Sequence, residues 1–301
     1  MSDTLVNGTL PNGLVPFGPD ANCTLATCSV ESSLLGYRPS VLANGIFIGV
    51  FGALMAAHIA QGCKYRTWGF LASIVCGCIL EIVGYIGRLM VHHNPFDFSG
   101  FLMQIICITV APIFFCSAIY VLLHQVIKFI DPSISRVKPR FISIFFIIVD
   151  IISLILQALG GALSVVSTAQ EDIDVGVDIS LAGLIFQVVT LIGFAALFAD
   201  YINSCRRKLQ SFQEIRHTMG LFLLSLFVCI ILILLRCAYR IAELQEGYFS
   251  ELFREEDLFI ALESGVMCLA VGCLNLGHPG PVLGPKLHKK ASEIELTGDN
   301  N

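Results

Sequence analysis

From residue 41 onward the chain alternates long apolar runs with short polar connections. Seven runs, at about 41–62, 69–90, 101–127, 141–166, 180–202, 218–241 and 257–277, are each long enough to cross a bilayer as a helix, which takes about 20 mainly apolar residues. The pattern predicts an all-α fold, a polytopic bundle of seven transmembrane helices. Residues 1–40 form a polar N-terminal tail, 41–280 a single membrane domain, and 281–301 a polar tail expected to be disordered. No internal repeat of the kind that builds many transporters is visible.

An odd number of spans puts the two termini on opposite sides, and basic residues in short loops set which is which. Lys64 and Arg66 follow the first span, Lys128, Arg136, Lys138 and Arg140 the third, Arg206, Arg207, Lys208 and Arg216 the fifth, and Lys286, Lys289 and Lys290 the seventh. The alternate loops, 92–99 and 167–179, hold no Lys or Arg, and the second carries Glu171, Asp172, Asp174 and Asp178. The N-terminus is therefore expected outside and the C-terminus in the cytoplasm. Two sequons, Asn7-Gly8-Thr9 and Asn22-Cys23-Thr24, agree with an outer tail and mark Asn7 and Asn22 as glycosylation candidates. In such a compartment Cys23 and Cys28 are candidates for a disulfide. The stretch from Arg240 to Asp257 mixes both signs with Tyr248, Phe249, Leu252 and Phe253, and reads either as an outer amphipathic cap or as a solvated connection.

Polar side chains inside the spans carry the chemistry. A charge at the bilayer centre costs about 2.5–3.5 kcal/mol on insertion scales, so such groups face a bundle interior or a wet cavity. Glu81 and Arg88 lie seven residues apart, nearly two helical turns, and share a face. Arg236, Arg240 and Glu243 form an i, i+4, i+7 stripe at the outer end of the sixth span. At about 1.5 Å of rise per residue, Glu263, Gln104, Gln157 and Gln187 fall in the same outer layer. A second stripe, Asp150, Ser153, Gln157 and Gly160, runs outward from near mid-membrane with no basic residue at the depth of Asp150. Two readings of the charged layer stay open: Glu81, Glu243 and Glu263 pair with Arg88, Arg236 and Arg240 as a closed structural network, or part of the set receives a ligand. Pro112 is expected to kink the third span and free a backbone carbonyl. Gly45-x-x-x-Gly49 is a close-packing motif, and His58, His124 and His278 are placed near the wet cytoplasmic ends.

Composition narrows the function classes. The chain is 55% hydrophobic and 14% charged with a formal net charge of -5, and its mean hydropathy is +0.80, so no nucleic-acid surface is expected. The twelve cysteines include no C-x-x-C pair or zinc-finger spacing. The seventh span has no lysine for a retinal Schiff base, and the polar motifs of G-protein-coupled receptors are absent. No phosphate-binding G-x-x-x-x-G-K-S/T occurs. An intramembrane zinc hydrolase would need three converging histidines, and no His-x-x-x-His pair exists. The expectation is a non-enzyme without cofactor or metal. Its partners are membrane lipids or amphipathic small molecules whose head groups suit a two-signed polar layer.

The ordered set Tyr37-x-Pro39-Ser40, Asn44, Glu81-x-x-Gly84-Tyr85-x-x-Arg88, Gln104, Ala111-Pro112, Tyr120, Asp150-x-x-Ser153-x-x-x-Gln157-x-x-Gly160, Gly183-x-x-x-Gln187, Arg236-x-x-Tyr239-Arg240-x-x-Glu243 and Glu263 resembles the fungal lipid-translocating exporter family, also called RTA-like proteins. The resemblance spans about residues 37–280. It implies a seven-span fungal protein of the plasma membrane, with relatives associated with export of sphingoid long-chain bases, resistance to toxic amphiphiles and protoporphyrin uptake. The alternative to transport is a seven-span sensor or regulator of lipid asymmetry. On this reading Glu81 and Glu263 take a cationic head group, Arg88, Arg236, Arg240 and Glu243 hold the cavity open, and Asp150 or Glu81 is the site of proton coupling.

Overall fold

A computed structural model describes residues 10, 13–18, 20–130, 139–167, 170–208, 213–246 and 251–280. Seven of its helices are long and apolar enough to cross a membrane, which makes the chain an integral multi-pass membrane protein. They are α1 (Val41–Tyr65), α2 (Trp68–His93), α3 (Phe98–Ile130), α4 (Pro139–Val166), α5 (Gln170–Lys208), α6 (Gln213–Glu246) and α7 (Glu256–Leu276). No strand occurs among the described residues. Asn7, Arg136, Lys138, Tyr248, Phe249 and the tail 281–301 lie outside them.

Helices adjacent in sequence pack side by side, α7 returns to α1 to close a ring, and α3 also meets α6 across it. Glycines set the closest seams. A Cβ on Gly77, Gly84 or Gly87 of α2 would lie 2.4, 2.5 and 2.8 Å from atoms of α3. Gly160 of α4 faces Gly176 and Ser180 of α5 just as tightly. By contrast, a Cβ on Gly45 or Gly49 would meet nothing within 4 Å. The close-packing motif expected in α1 therefore has no partner among the described residues.

One connection differs from expectation. The acidic stretch 171–178, expected to be a loop, lies in the first turns of α5. Glu171 and Asp172 there complement the helix dipole, and Gly176 extends the α4–α5 seam by packing on Ser164. Beyond Arg240, α6 continues to Glu246, and a single helical turn at Glu251–Arg254 precedes α7.

That turn helps to cap one end of the bundle. Phe253 packs with Leu34 and Leu35 of the N-terminal segment and with Val91 and Phe101 of α2 and α3. A 3-10 turn, Val30–Ser32, leads into this plug, and Cys23 is bonded to Cys28 beside Leu10 and Phe96. Asn22 is exposed, its Oδ1 accepting from the Val15 N–H at 2.7 Å. Ser40 caps α1 by accepting from the Ala43 N–H. Starting from this capped end, α1, α3, α5 and α7 run to the far end, where Lys64 and Arg66 lie.

Candidate functional site

Below the cap, the charged side chains of α2, α6 and α7 gather with the strand of chain that precedes α1. Arg88, 1% exposed, is held from several sides. Its Nε donates to Asn44 Oδ1 at 3.1 Å, and one Nη donates to Tyr37 Oη at 3.0 Å and to Glu256 at 3.4 Å. The guanidinium also lies over the Phe259 ring, 3.9 Å from its centre. Glu256 accepts in addition from the Ser40 N–H at 2.7 Å, which ties the start of α7 to the start of α1. Burial raises the Tyr37 phenol above its ordinary range despite the neighbouring Arg88, so it serves here as a neutral hydroxyl.

The sixth and seventh helices supply two more pairs. Arg236 donates to Glu263, and Arg240 donates to Glu243 at 2.5 Å. Glu263 sits in a π-helical stretch, Phe259–Gly265, whose wider turn interrupts α7. Arg236 also donates to the carbonyl of Ile108 at 2.7 Å. In a regular α-helix that carbonyl accepts from the residue four places on, which is Pro112. Proline has no N–H, so the expected freed carbonyl exists, and Arg236 fills it.

Among the described residues, each arginine of this layer has a glutamate, and one glutamate remains. Arg88, Arg236 and Arg240 are matched by Glu256, Glu263 and Glu243. Glu81 is left over. It is completely buried, and neither carboxylate oxygen has a hydrogen-bond partner. It lies in the field of Arg236 and of Glu263. Tyr85, one turn along α2, neighbours Ser264 of α7, and neither hydroxyl is in hydrogen-bonding geometry. Glu263 Oε2 and Gln104 Oε1 are likewise buried without a partner. The same layer holds one buried donor without a partner, the Arg236 Nε, and a further buried hydroxyl, that of Tyr239.

A recess of about 350 Å³ opens beside this layer, lined by Tyr37, Arg88, Gln104, Arg240, Glu243 and Glu263 among others. Glu81 is not in its lining.

The α4 stripe is separate and uncharged apart from one acid. Asp150, 2% exposed, accepts from the Tyr120 hydroxyl at 2.9 Å. The Ser153 hydroxyl turns back to the Val149 carbonyl, Gln157 donates to Gln187 at 2.9 Å, and Ser180 donates to the Gln157 carbonyl. Gln157 and Gln187 thus pair with each other between α4 and α5, away from the recess.

At the far end, His58 and His278 are buried, not wet as their positions suggested. His58 Nε2 is 3.3 Å from the Val271 carbonyl, and the Phe70 ring lies against both histidines. Burial pushes the His278 imidazole down to about 4. The two rings are 6.4 Å apart, and no group of three potential metal ligands gathers among the described residues.

Glu256 was not picked out from the sequence; Asn44 entered only within the family-like pattern, with no role, and the Ile108 carbonyl only as the one that Pro112 frees. Glu256 had a signal: it lies seven residues before Glu263, the spacing that joins Glu81 to Arg88 and Arg236 to Glu243.

A profile described as "RTA1 like protein" matches residues 74–286, which include every spanning charge of this layer. The sphingoid long-chain base transporter RSB1 of Saccharomyces cerevisiae strain Lalvin EC1118 is 32% identical over 289 residues, covering 85% of this chain and 75% of that protein. Protein RTM1 of Saccharomyces cerevisiae is 28% identical over 205 residues, covering 68% and 65%. Protoporphyrin uptake protein 1 of the same species is 27% identical over 202 residues, covering 67% and 66%. No solved structure matches. Seven spans, a profile covering most of them and a relative of this similarity across most of both chains establish that the chain belongs to the RTA1-like family.

Proposed function

We propose that this protein translocates amphipathic, lipid-like molecules with a cationic head group, conferring export of or resistance to them, and that Glu81 is the head-group acceptor. The observation that carries the proposal is the unmatched acid: three arginines are neutralised by three glutamates, and a fourth glutamate is buried with both oxygens empty. A buried carboxylate without a partner is costly, and an ammonium, with three donors and one positive charge, satisfies both deficits at once. The relative RSB1 is named a sphingoid long-chain base transporter, and such a base is an amine on an apolar tail. The paired set around Glu81 then acts as scaffold: Arg88 with Glu256, Arg236 with Glu263 and Arg240 with Glu243. This assigns Glu263 to the scaffold, where the sequence had grouped it with Glu81.

The capped end faces outward in this proposal, at the plasma membrane, with Asn22 available for glycosylation. The Cys23–Cys28 bond suits an oxidising compartment, and the basic residues Lys64 and Arg66 at the far end suit the cytoplasm. Glu81 lies outside the lining of the recess, so a head group that reaches it must pass the paired set. The alternative reading is a sensor that binds lipid without moving it.

The test is reconstitution of the purified protein in liposomes with a labelled long-chain base followed between leaflets. Transport predicts movement that Glu81→Gln abolishes while the variant still folds and reaches the membrane. Binding without movement identifies the sensor. Loss of folded protein in Glu81→Gln would return Glu81 to the structural network.

A further inference from the structure

The acid that the charged layer does not explain is Asp150. We propose that Asp150 and Tyr120 form a proton-binding site inside the membrane, distinct from the head-group acceptor, which couples translocation to proton movement. The inference rests on the transport reading for its coupling part, and on the geometry alone for the site.

Asp150 sits eleven residues into α4, about 16 Å along it at 1.5 Å per residue. Its carboxyl is buried and makes one hydrogen bond, from Tyr120 of α3. The groups that face it among the described residues are uncharged: Tyr120 and Cys116 from α3 and Cys237 from α6. No ion pair to Asp150 exists among the described residues. The three arginines of the bundle core are already matched, so none is spare to neutralise it. Intramembrane carboxylates in such settings mark proton relays.

The ligand that fits is a proton, not a metal ion. A hard cation takes about six oxygens, and among the described residues only the Tyr120 hydroxyl joins the carboxyl. The nearby hydroxyls of Ser143 and Ser153 donate to the Tyr120 and Val149 carbonyls. Protonation needs no further ligand: Tyr120 keeps its own proton and donates it to Oδ2, while the other carboxylate oxygen gains an O–H bond and nothing else breaks. Tyr120 is itself locked by Phe146 and Phe194, with ring centres 5.6 and 4.6 Å away, so the donor is held in place.

The charged layer lies within electrostatic reach. Cys237 lies in the field of Asp150 and also in that of Arg236 and Glu263. A charge appearing at Asp150 is thus felt next to the pair that borders Glu81.

Two readouts on the reconstituted protein test the proposal. Infrared difference spectra between acid and alkaline buffer should show a titrating carboxyl band that is missing in Asp150→Asn and displaced in Tyr120→Phe, which keeps the acid but removes its donor. Movement of labelled long-chain base should change about tenfold with pH in the wild type, and Asp150→Asn should flatten that profile. A band unchanged in Asp150→Asn, or a wild-type pH profile retained by it, overturns the proposal. Should wild-type vesicles move no lipid, the transport reading fails, and the band still decides: its presence keeps the proton site and its absence removes it. If Asp150→Asn does not fold, an undisplaced band in Tyr120→Phe overturns the proposal and a displaced one supports it.

Discussion

Around Glu81, helices α2, α6 and α7 bring arginines and glutamates into ion pairs, whereas between α3, α4 and α5 a single acid is buried among hydroxyls and amides. Both regions satisfy polar groups inside an apolar bundle, but by different physics. The charged side relies on Coulomb attraction in a medium of low dielectric, and removing one partner leaves its mate exposed to the whole desolvation cost. The uncharged side relies on hydrogen bonds and on backbones that approach closely at Gly160 and Gly176. Against this background, the two acids without a cation, Glu81 and Asp150, differ in kind: the first lacks any partner, and the second has one donor.

The largest effect is expected where a charge pair is broken. Arg236→Met removes the partner of Glu263 and the donor to Ile108, and should destabilise the protein by about 3–5 kcal/mol, measured as thermal unfolding in detergent. A small shift would mean that Glu263 rotates to another donor and that the pairing is looser than its geometry. Next, on the uncharged side, Gly160→Ala places a methyl 2.5 Å from the Gly176 carbonyl and the Ser180 nitrogen, both backbone atoms unable to move aside. An overpacking cost of about 1–3 kcal/mol is expected, against none for Gly49→Ala, whose methyl meets nothing within 4 Å. Equal effects of the two would break the contrast between a seam and an open face.

The smallest effect on stability, and the most telling for function, belongs to Pro112→Ala. It restores the N–H that Ile108 would accept in a regular helix, so α3 loses nothing, while Arg236 loses an anchor. Thermal stability should hold or rise as transport falls by about tenfold, the equivalent of about 1.4 kcal/mol. A fall in both together would assign Pro112 to the fold alone.

Much of this was legible in the sequence, for identifiable reasons. Long apolar runs give spans directly, and spacings of three, four and seven put Arg236, Arg240 and Glu243 on one face without any tertiary knowledge. Pairing was not legible. Glu81 has a plausible mate in Arg88, one helical stripe away, and only the approach of α7 shows that Glu256 takes that arginine. Glu256 was hidden among Glu255 and Asp257 in a stretch that looked solvated. The Ile108 carbonyl is a backbone atom and carries no sequence signature beyond the proline four residues later. His58 looked interfacial by its position in α1, but α7 covers it. Gly45 and Gly49 show the reverse limit, since a packing motif states what a face permits and not what meets it.

The claim at the centre is that Glu81 is kept unpaired for a cationic head group. Its most direct test compares wild type and Glu81→Gln in liposomes, following labelled long-chain base between leaflets at equal amounts of folded protein. The account predicts movement in the wild type and none in the variant. Equal movement in both would contradict it.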